Sequence, residues 1–283
     1  MPDRSFDLVV VDLDGTLIDA SGRISLGNRE ALGRVKGEGL RTALCTGRPL
    51  FACRAALAQV PLTGPHIFCD GAWIGDERNG AVAAWPLAGE VVRRLIDFCR
   101  AGGLGLELYT ADAYYAELPP GERELPADAG PRIQAQRQGV DPVLVRDLES
   151  VLEWETAIKA NLVLVGPEKR AIREGLAQAF AGCLRLGVAR SAEFPEADFV
   201  NITDARVSKG AALVALAGHL GIPIGRTLAI GDGPNDIPLL RAAGLGVAMG
   251  DAPAEVRALA GYVTNGLAED GVAAALARFF PPS

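Results

Sequence analysis

Four short polar segments carry residue types suited to chemistry on a phosphate. They are Asp12-Leu13-Asp14-Gly15-Thr16, Thr46-Gly47-Arg48, Ser208-Lys209-Gly210 and Gly231-Asp232-Gly233-Pro234-Asn235-Asp236. Two aspartates two positions apart raise each other's pKa unless something neutralises them. Asp12, Asp14, Asp232 and Asp236, with no histidine or cysteine in their segments, suit a hard, oxygen-liganded divalent cation. Mg2+ is the usual one. Lys209 and the glycine-flanked backbone N–H groups favour an anion beside that cation. A divalent metal, a lysine and backbone donors next to a carboxylate make a phosphoryl-transfer site, in which an aspartate can attack and form an aspartyl-phosphate. One aspartate must be ionised to attack and the other must cycle a proton, so their environments must differ.

Such residues need a frame that brings them together. The apolar runs at 6–12, 41–46, 66–70, 227–232 and 245–249 predict strands. The stretches 26–39, 49–60, 208–221, 235–244 and 252–260 space their apolar residues for helices. Strands apolar on both faces that alternate with helices imply an α/β fold with a parallel sheet and helices on both sides. Each polar segment then falls at a strand exit or a helix entry, and such sheets bind ligands at the carboxyl ends of their strands. The alternation breaks between about 84 and 203, where connections lengthen and 118–131 is rich in Pro, Gly and acid. The expected organisation is a core made of 1–83 and 204–283, interrupted by a second domain over 84–203.

Bulk properties narrow the function. The chain has 283 residues, 49% apolar, with 34 glycines, enough for a sizeable core. A formal charge of -7 and a pI near 5.0 argue against nonspecific binding to nucleic acid or to an anionic membrane. Five scattered cysteines, without a CxxC pair, read as reduced thiols and argue against a zinc site. The start "MPDRSFD" has no basic region leading into a long apolar segment, so a cytoplasmic, soluble protein is expected. His66 and His219 are expected in structural positions, which disfavours histidine-nucleophile chemistry.

The segments "DLDGT", "TGR", "VSKG" and "GDGPNDIPLL" resemble the four ordered motifs of the haloacid dehalogenase superfamily of phosphatases. The insertion between the second and third motifs, and the tail "LGVAMGDAPAEVRALAGYVTNGLAEDGVAAAL", resemble its Cof-like subclass with a large α/β cap (type IIB). The resemblance implies a Rossmann-like, doubly wound parallel core with an inserted α+β cap that closes over the substrate. It implies Asp12 as nucleophile, and Asp14 as the acid for the leaving group and then the base for water. Mg2+ would be held by Asp12, the Asp14 carbonyl and Asp232, with Asp236 as a metal-water ligand or orienting Lys209. Thr46, Gly47, Lys209 and Asn235 would hold the phosphoryl oxygens. Two positions depart from the subclass: Asp70 and Asp251 stand where many relatives carry Asn, and both are expected to be turn residues.

Each segment alone also reads as a turn or a helix cap; four in order do not. Arg48 is expected to pair with a carboxylate rather than touch substrate, and Tyr109, Tyr114 and Tyr115 are expected to pack. The leading function is a Mg2+-dependent phosphatase for a small phosphorylated metabolite such as a sugar phosphate. Its rivals are a phosphomutase on the same scaffold and a signalling module that stores a phospho-aspartate.

Overall fold

The computed structural model describes residues 6–191 and 193–281. In the first stretch, β1 (Leu8–Val11), α1 (Leu26–Gly37), β2 (Arg41–Leu44) and α2 (Arg54–Leu57) precede three strands, β3 (His66–Phe68), β4 (Trp73–Asp76) and β5 (Gly80–Ala84). The middle stretch runs α3 (Gly89–Ala101), β6 (Leu106–Tyr109), β7 (Tyr114–Glu117), α4 (Gly130–Gln138), β8 (Val143–Val145), β9 (Lys159–Leu164), α5 (Lys169–Ala179), β10 (Leu184–Ala189) and β11 (Asp198–Asp204). The last is α6 (Lys209–His219), β12 (Thr227–Gly231), α7 (Ile237–Ala242), β13 (Leu245–Ala248), α8 (Ala254–Arg257), β14 (Tyr262–Val263) and α9 (Gly271–Phe279).

Contacts divide the chain into two compact units: residues up to 83 together with those from 208 on, and residues 84–207. The second crossing falls after Val207 rather than 203. β11 runs on to Asp204, and the Val207 N–H donates to the Asp204 carbonyl at 3.0 Å, which carries the turn with the strand.

The first unit holds a five-stranded parallel sheet ordered β14-β13-β12-β1-β2. All four β1 residues are fully buried, and β12 and β2 pair its backbone on both edges. Each contributes roughly 1.5–3 kcal/mol by leaving water. Ser25 caps α1 by accepting the Asn28 N–H at 3.2 Å, and buried Asn28 accepts the Ala273 N–H at 2.9 Å, tying α1 to α9. From β1 the chain first winds to β2 and later returns to build β12, β13 and β14 on the other side. The two sides meet at the β1/β12 pair.

Three expected elements differ. The run at 66–70 is not a further strand of that sheet: β3 touches β2 through one parallel bridge, Cys45–Ile67, and pairs antiparallel with β4. Cys69 and Asp70 then take positive φ (53° and 56°), which ends the strand. The stretch 49–60 is a 3-10 turn, Leu50–Cys53, followed by the one-turn α2, and 252–260 is only the short α8. Asn79-Gly80, where the turn after β4 enters β5, is a hairpin signal that locates this unexpected pair of strands.

The second unit has a six-stranded sheet ordered β10-β11-β9-β6-β7-β8, antiparallel except for β7–β8. Strand alternation sends Leu106, Leu108, Ala160, Leu162, Val200 and Ile202 into one apolar cluster that also takes Val92, Leu95 and Ile96 of α3. Glu107, Tyr109, Lys159 and Asn161 point the other way and are also buried. Tyr109 and Tyr114 stack there with ring centroids 4.9 Å apart, while Tyr115 joins the apolar cluster. Among the described residues no helix is long and apolar enough to cross a membrane.

Candidate active site

Three of the four polar segments leave the same edge of the parallel sheet, since Asp12 follows β1, Thr46 lies just past β2, and Asp232 follows β12. The fourth opens α6, where Ser208 accepts the Ala211 N–H at 3.1 Å and so fixes Lys209 in the first turn.

Lys209 is the hub of the arrangement. Its Nζ donates to Asp12 Oδ1 at 2.5 Å and to Asp236 Oδ1 at 2.6 Å, and its side chain is 1% exposed. Asp236 is fully buried, and its Oδ2 accepts the N–H groups of Asp232 (3.1 Å) and Gly233 (2.9 Å). Both Asp236 oxygens are thus engaged in holding Lys209 and the 231–236 turn. Asp232 Oδ1 accepts from Thr16 Oγ1 at 2.8 Å, which joins the first segment to the fourth.

Burial and charge crowding set the ionisation. Burial, reinforced by Asp236, pushes Asp12 well above the usual aspartate range, and Lys209 pulls against it. Burial raises Asp232 to about 6 despite the Thr16 hydrogen bond. For Lys209 burial works downward, but Asp12 and Asp236 outweigh it, so the ammonium stays charged. Oxygens of Asp12, Asp232 and Asp236 all lie within 4.8 Å of one another. An all-carboxylate donor set, two of whose members are raised, fits a hard divalent cation that would relieve the repulsion. Asp12 and Asp232 are the better placed to hold it, since Asp236 is committed to Lys209 and two backbone donors.

Gly15 makes this approach possible. Its φ is +81°, and a Cβ there would lie 2.5 Å from Asp232 Oδ2. Asp14, one residue earlier, turns its carboxylate away from the buried trio to the Arg48 guanidinium, whose Nε lies 2.9 Å from Oδ2 and whose Nη2 bonds Oδ1. The two aspartates of the first segment therefore occupy different surroundings, one buried against a lysine and one half-exposed against an arginine.

Thr46 is buried, and its Oγ1 accepts the Arg48 N–H at 3.1 Å, leaving the hydroxyl proton free to donate elsewhere. Gly47 lies against the Asp70 carboxylate, to which Asn235 Nδ2 donates at 3.2 Å.

A family model described as haloacid dehalogenase-like hydrolase matches residues 9–276. The chain belongs to this family. It is a Cof-like phosphatase by that match and by its relatives. The hydrolase is 28% identical to a 5-amino-6-(5-phospho-D-ribitylamino)uracil phosphatase of Bacillus subtilis, over 94% of this chain and 95% of that one. It is 25% identical to a phosphoglycolate phosphatase of Methanoculleus marisnigri, over 96% of each. A crystal structure of a haloacid dehalogenase-like hydrolase from Bacteroides thetaiotaomicron superposes with a TM-score of 0.82 at 28% identity, covering 97% of this chain and all of that one. The signalling-module alternative gives way to the enzyme.

Several contacts of the hydrolase escape sequence reasoning. Thr16 on Asp232 sits inside the quoted "DLDGT" motif, so its presence was legible and its partner was not. The Asp251 carboxylate accepts the N–H of Leu267, 16 residues on, at 3.0 Å, a tie between two loops rather than a local turn contact, while its charge helps raise Asp232. Asp70 does more than turn the chain, because it contacts two residues assigned to phosphate. His66 is structural: Nδ1 accepts the Leu44 N–H at 3.2 Å, and burial lowers the ring to about 4.

Proposed function

We propose that this phosphatase is Mg2+-dependent and hydrolyses a small phosphorylated polyol or sugar metabolite through an aspartyl-phosphate on Asp12. The carrying observation is Lys209, buried and bridging Asp12 and Asp236 inside the Asp12–Asp232–Asp236 cluster. Asp12 and Asp232, with the Asp14 carbonyl, would hold Mg2+, which supplies charge neutralisation for the carboxylates and for the phosphoryl oxygens. Asp236 orients Lys209. Thr46, Gly47, Lys209 and Asn235 hold the phosphoryl oxygens.

In the first half-reaction a carboxylate oxygen of Asp12 bonds to phosphorus and the ester P–O bond breaks. Asp14 exchanges its Arg48 partner for the leaving oxygen and gives it a proton. In the second half-reaction Asp14 takes a proton from water, the water oxygen bonds to phosphorus, and the Asp12–phosphorus bond breaks to release inorganic phosphate. Lys209 favours the ionised form of Asp12 against its burial and fixes it for attack. The ribityl phosphate in the Bacillus relative's name supports a polyol ester, and we assign choice of the alcohol to the inserted unit, residues 84–207.

The test is phosphate release from a panel of metabolite phosphates at fixed Mg2+, ranked by kcat/KM, with EDTA as control. Asp12→Asn should abolish turnover. Asp14→Asn should lower it by roughly 100-fold or more, while calorimetry still detects Mg2+ and phosphate binding. Strict need for a bisphosphate activator without phosphate release would overturn this reading in favour of a mutase.

A further inference from the structure

Asp70 is a carboxylate that no step of this reaction uses, yet it is built into the loops assigned to the phosphoryl group. The Asp70 N–H donates to the Thr46 carbonyl at 3.0 Å and the Cys69 N–H to the Arg48 carbonyl at 3.0 Å, so the 69–71 turn is laced to the Thr46–Arg48 loop. Cys69 and Asp70 both adopt the left-handed backbone (φ 53° and 56°), which side-chain-bearing residues seldom take. The result sets the carboxylate against Gly47, where a Cβ would lie 3.0 Å from each of its oxygens. On its other side Oδ1 accepts the Asn235 amide at 3.2 Å.

The charges around it are unevenly matched. Lys209 is taken by Asp12 and Asp236, and Arg48 by Asp14. Among the described residues Asp70 has no ion-pair partner. With every group ionised, Asp12, Asp14, Asp70, Asp232 and Asp236 outnumber the two cations Lys209 and Arg48 by more than a divalent metal can offset. Because Asp70 touches Gly47 and Asn235, an anionic substituent one or two bonds beyond the ester oxygen falls within a Debye length of it, about 8 Å at physiological salt. Such a substituent meets the Asp70 charge, while Lys209 and Arg48 are already paired.

Resting on the phosphatase reading above, we propose that Asp70 is a charge filter that favours phosphomonoesters of neutral, hydroxylated alcohols and rejects those with a carboxylate or second phosphate beside the ester carbon. It also positions the Asn235 amide.

A matched pair of probes tests this: 2-hydroxyethyl phosphate and 2-phosphoglycolate, which differ by a neutral hydroxymethyl group against a carboxylate. The wild type should favour the neutral ester in kcat/KM by roughly tenfold. Asp70→Asn keeps an acceptor for Asn235 and removes the charge. It should erase most of that preference, chiefly through KM for 2-phosphoglycolate. Rising salt should narrow the ratio in the wild type and leave it nearly constant in the variant. Asp70→Ala should narrow the ratio equally and also lower kcat on both esters, since Asn235 loses its acceptor. An unchanged ratio in Asp70→Asn overturns the filter, even where wild-type turnover of p-nitrophenyl phosphate with Mg2+ upholds the phosphatase reading. Calorimetric binding of both esters to Asp12→Asn, with and without Asp70→Asn, reads the same preference without turnover, so loss of the phosphatase reading leaves the filter open to refutation on its own.

Discussion

Replacing Asp232 with asparagine separates what its charge does for a metal from what it does to the fold. Burial raises this carboxyl to about 6, against 3.8 for an ordinary aspartate. The gap of about two pH units, at about 1.4 kcal/mol each, means that ionised Asp232 costs the metal-free fold roughly 3 kcal/mol. Because the folded value is the higher one, the stability is complete below pH 3.8 and is lost as pH rises through 6. Asparagine has the same shape, still accepts from Thr16 Oγ1 and carries no charge. In EDTA at pH 8, Asp232→Asn should therefore be about 3 kcal/mol more stable than the wild type, and about half that at pH 5. Thermal melts should show this as a gain of roughly 5–10 °C. Saturating Mg2+ should reverse the order, because only the wild type gains binding free energy, about 4.1 kcal/mol at a thousandfold excess over Kd. Urea unfolding at both pH values, with EDTA and with Mg2+, measures all of these. A variant less stable than wild type in EDTA at pH 8, or a difference that ignores pH, would refute the reasoning.

Lys209→Met should destabilise the fold by about 3–5 kcal/mol in urea unfolding and abolish phosphate release, since it strands the buried Asp12 and Asp236 carboxylates. Glu107 is pushed to about 8 by burial, against 4.5 ordinarily, so the wild type should lose roughly 5 kcal/mol of stability as pH rises from below 4.5 through 8. Glu107→Gln should flatten that slope in a pH series of urea unfolding, and an unchanged slope would count against the buried acid. Gly15→Ala places a methyl against Asp232 Oδ2, and calorimetry should show Mg2+ affinity reduced by roughly tenfold or more with the protein still folded by circular dichroism.

Legibility followed the range of the forces involved. β1, β2, β12 and β13 were readable because their side chains are buried on both faces, which leaves a continuous apolar run in the sequence. The convergence of Asp12, Asp232 and Lys209 was readable because each falls at a strand exit or helix entry of the sheet, whatever the distance along the chain. Pairings were not. Asp14 with Arg48, Thr16 with Asp232 and Asp70 with Asn235 depend on which loops a folded sheet edge brings side by side. The broken helix at 49–60 keeps helical spacing, but the Leu50–Cys53 turn winds as a 3-10 segment, a choice made by packing. The buried Glu107–Tyr109–Asn161 contacts were equally hidden, since a Glu in a strand ordinarily reads as the solvent face.

The order of the five strands has a consequence for how the protein is made. β1 sits between β2, which follows it closely in sequence, and β12, from the far end of the chain. The contacts that complete its lower end span 197 residues for Lys209–Asp12 and 216 for Thr16–Asp232. During synthesis one edge of an entirely apolar strand stays unpaired until nearly the whole chain has emerged, a stretch in which the growing protein is prone to aggregate. The inserted unit is continuous in sequence and can close its own sheet in that interval. A chain that stops before residue 209 carries Asp12 without Lys209 and Thr16 without Asp232.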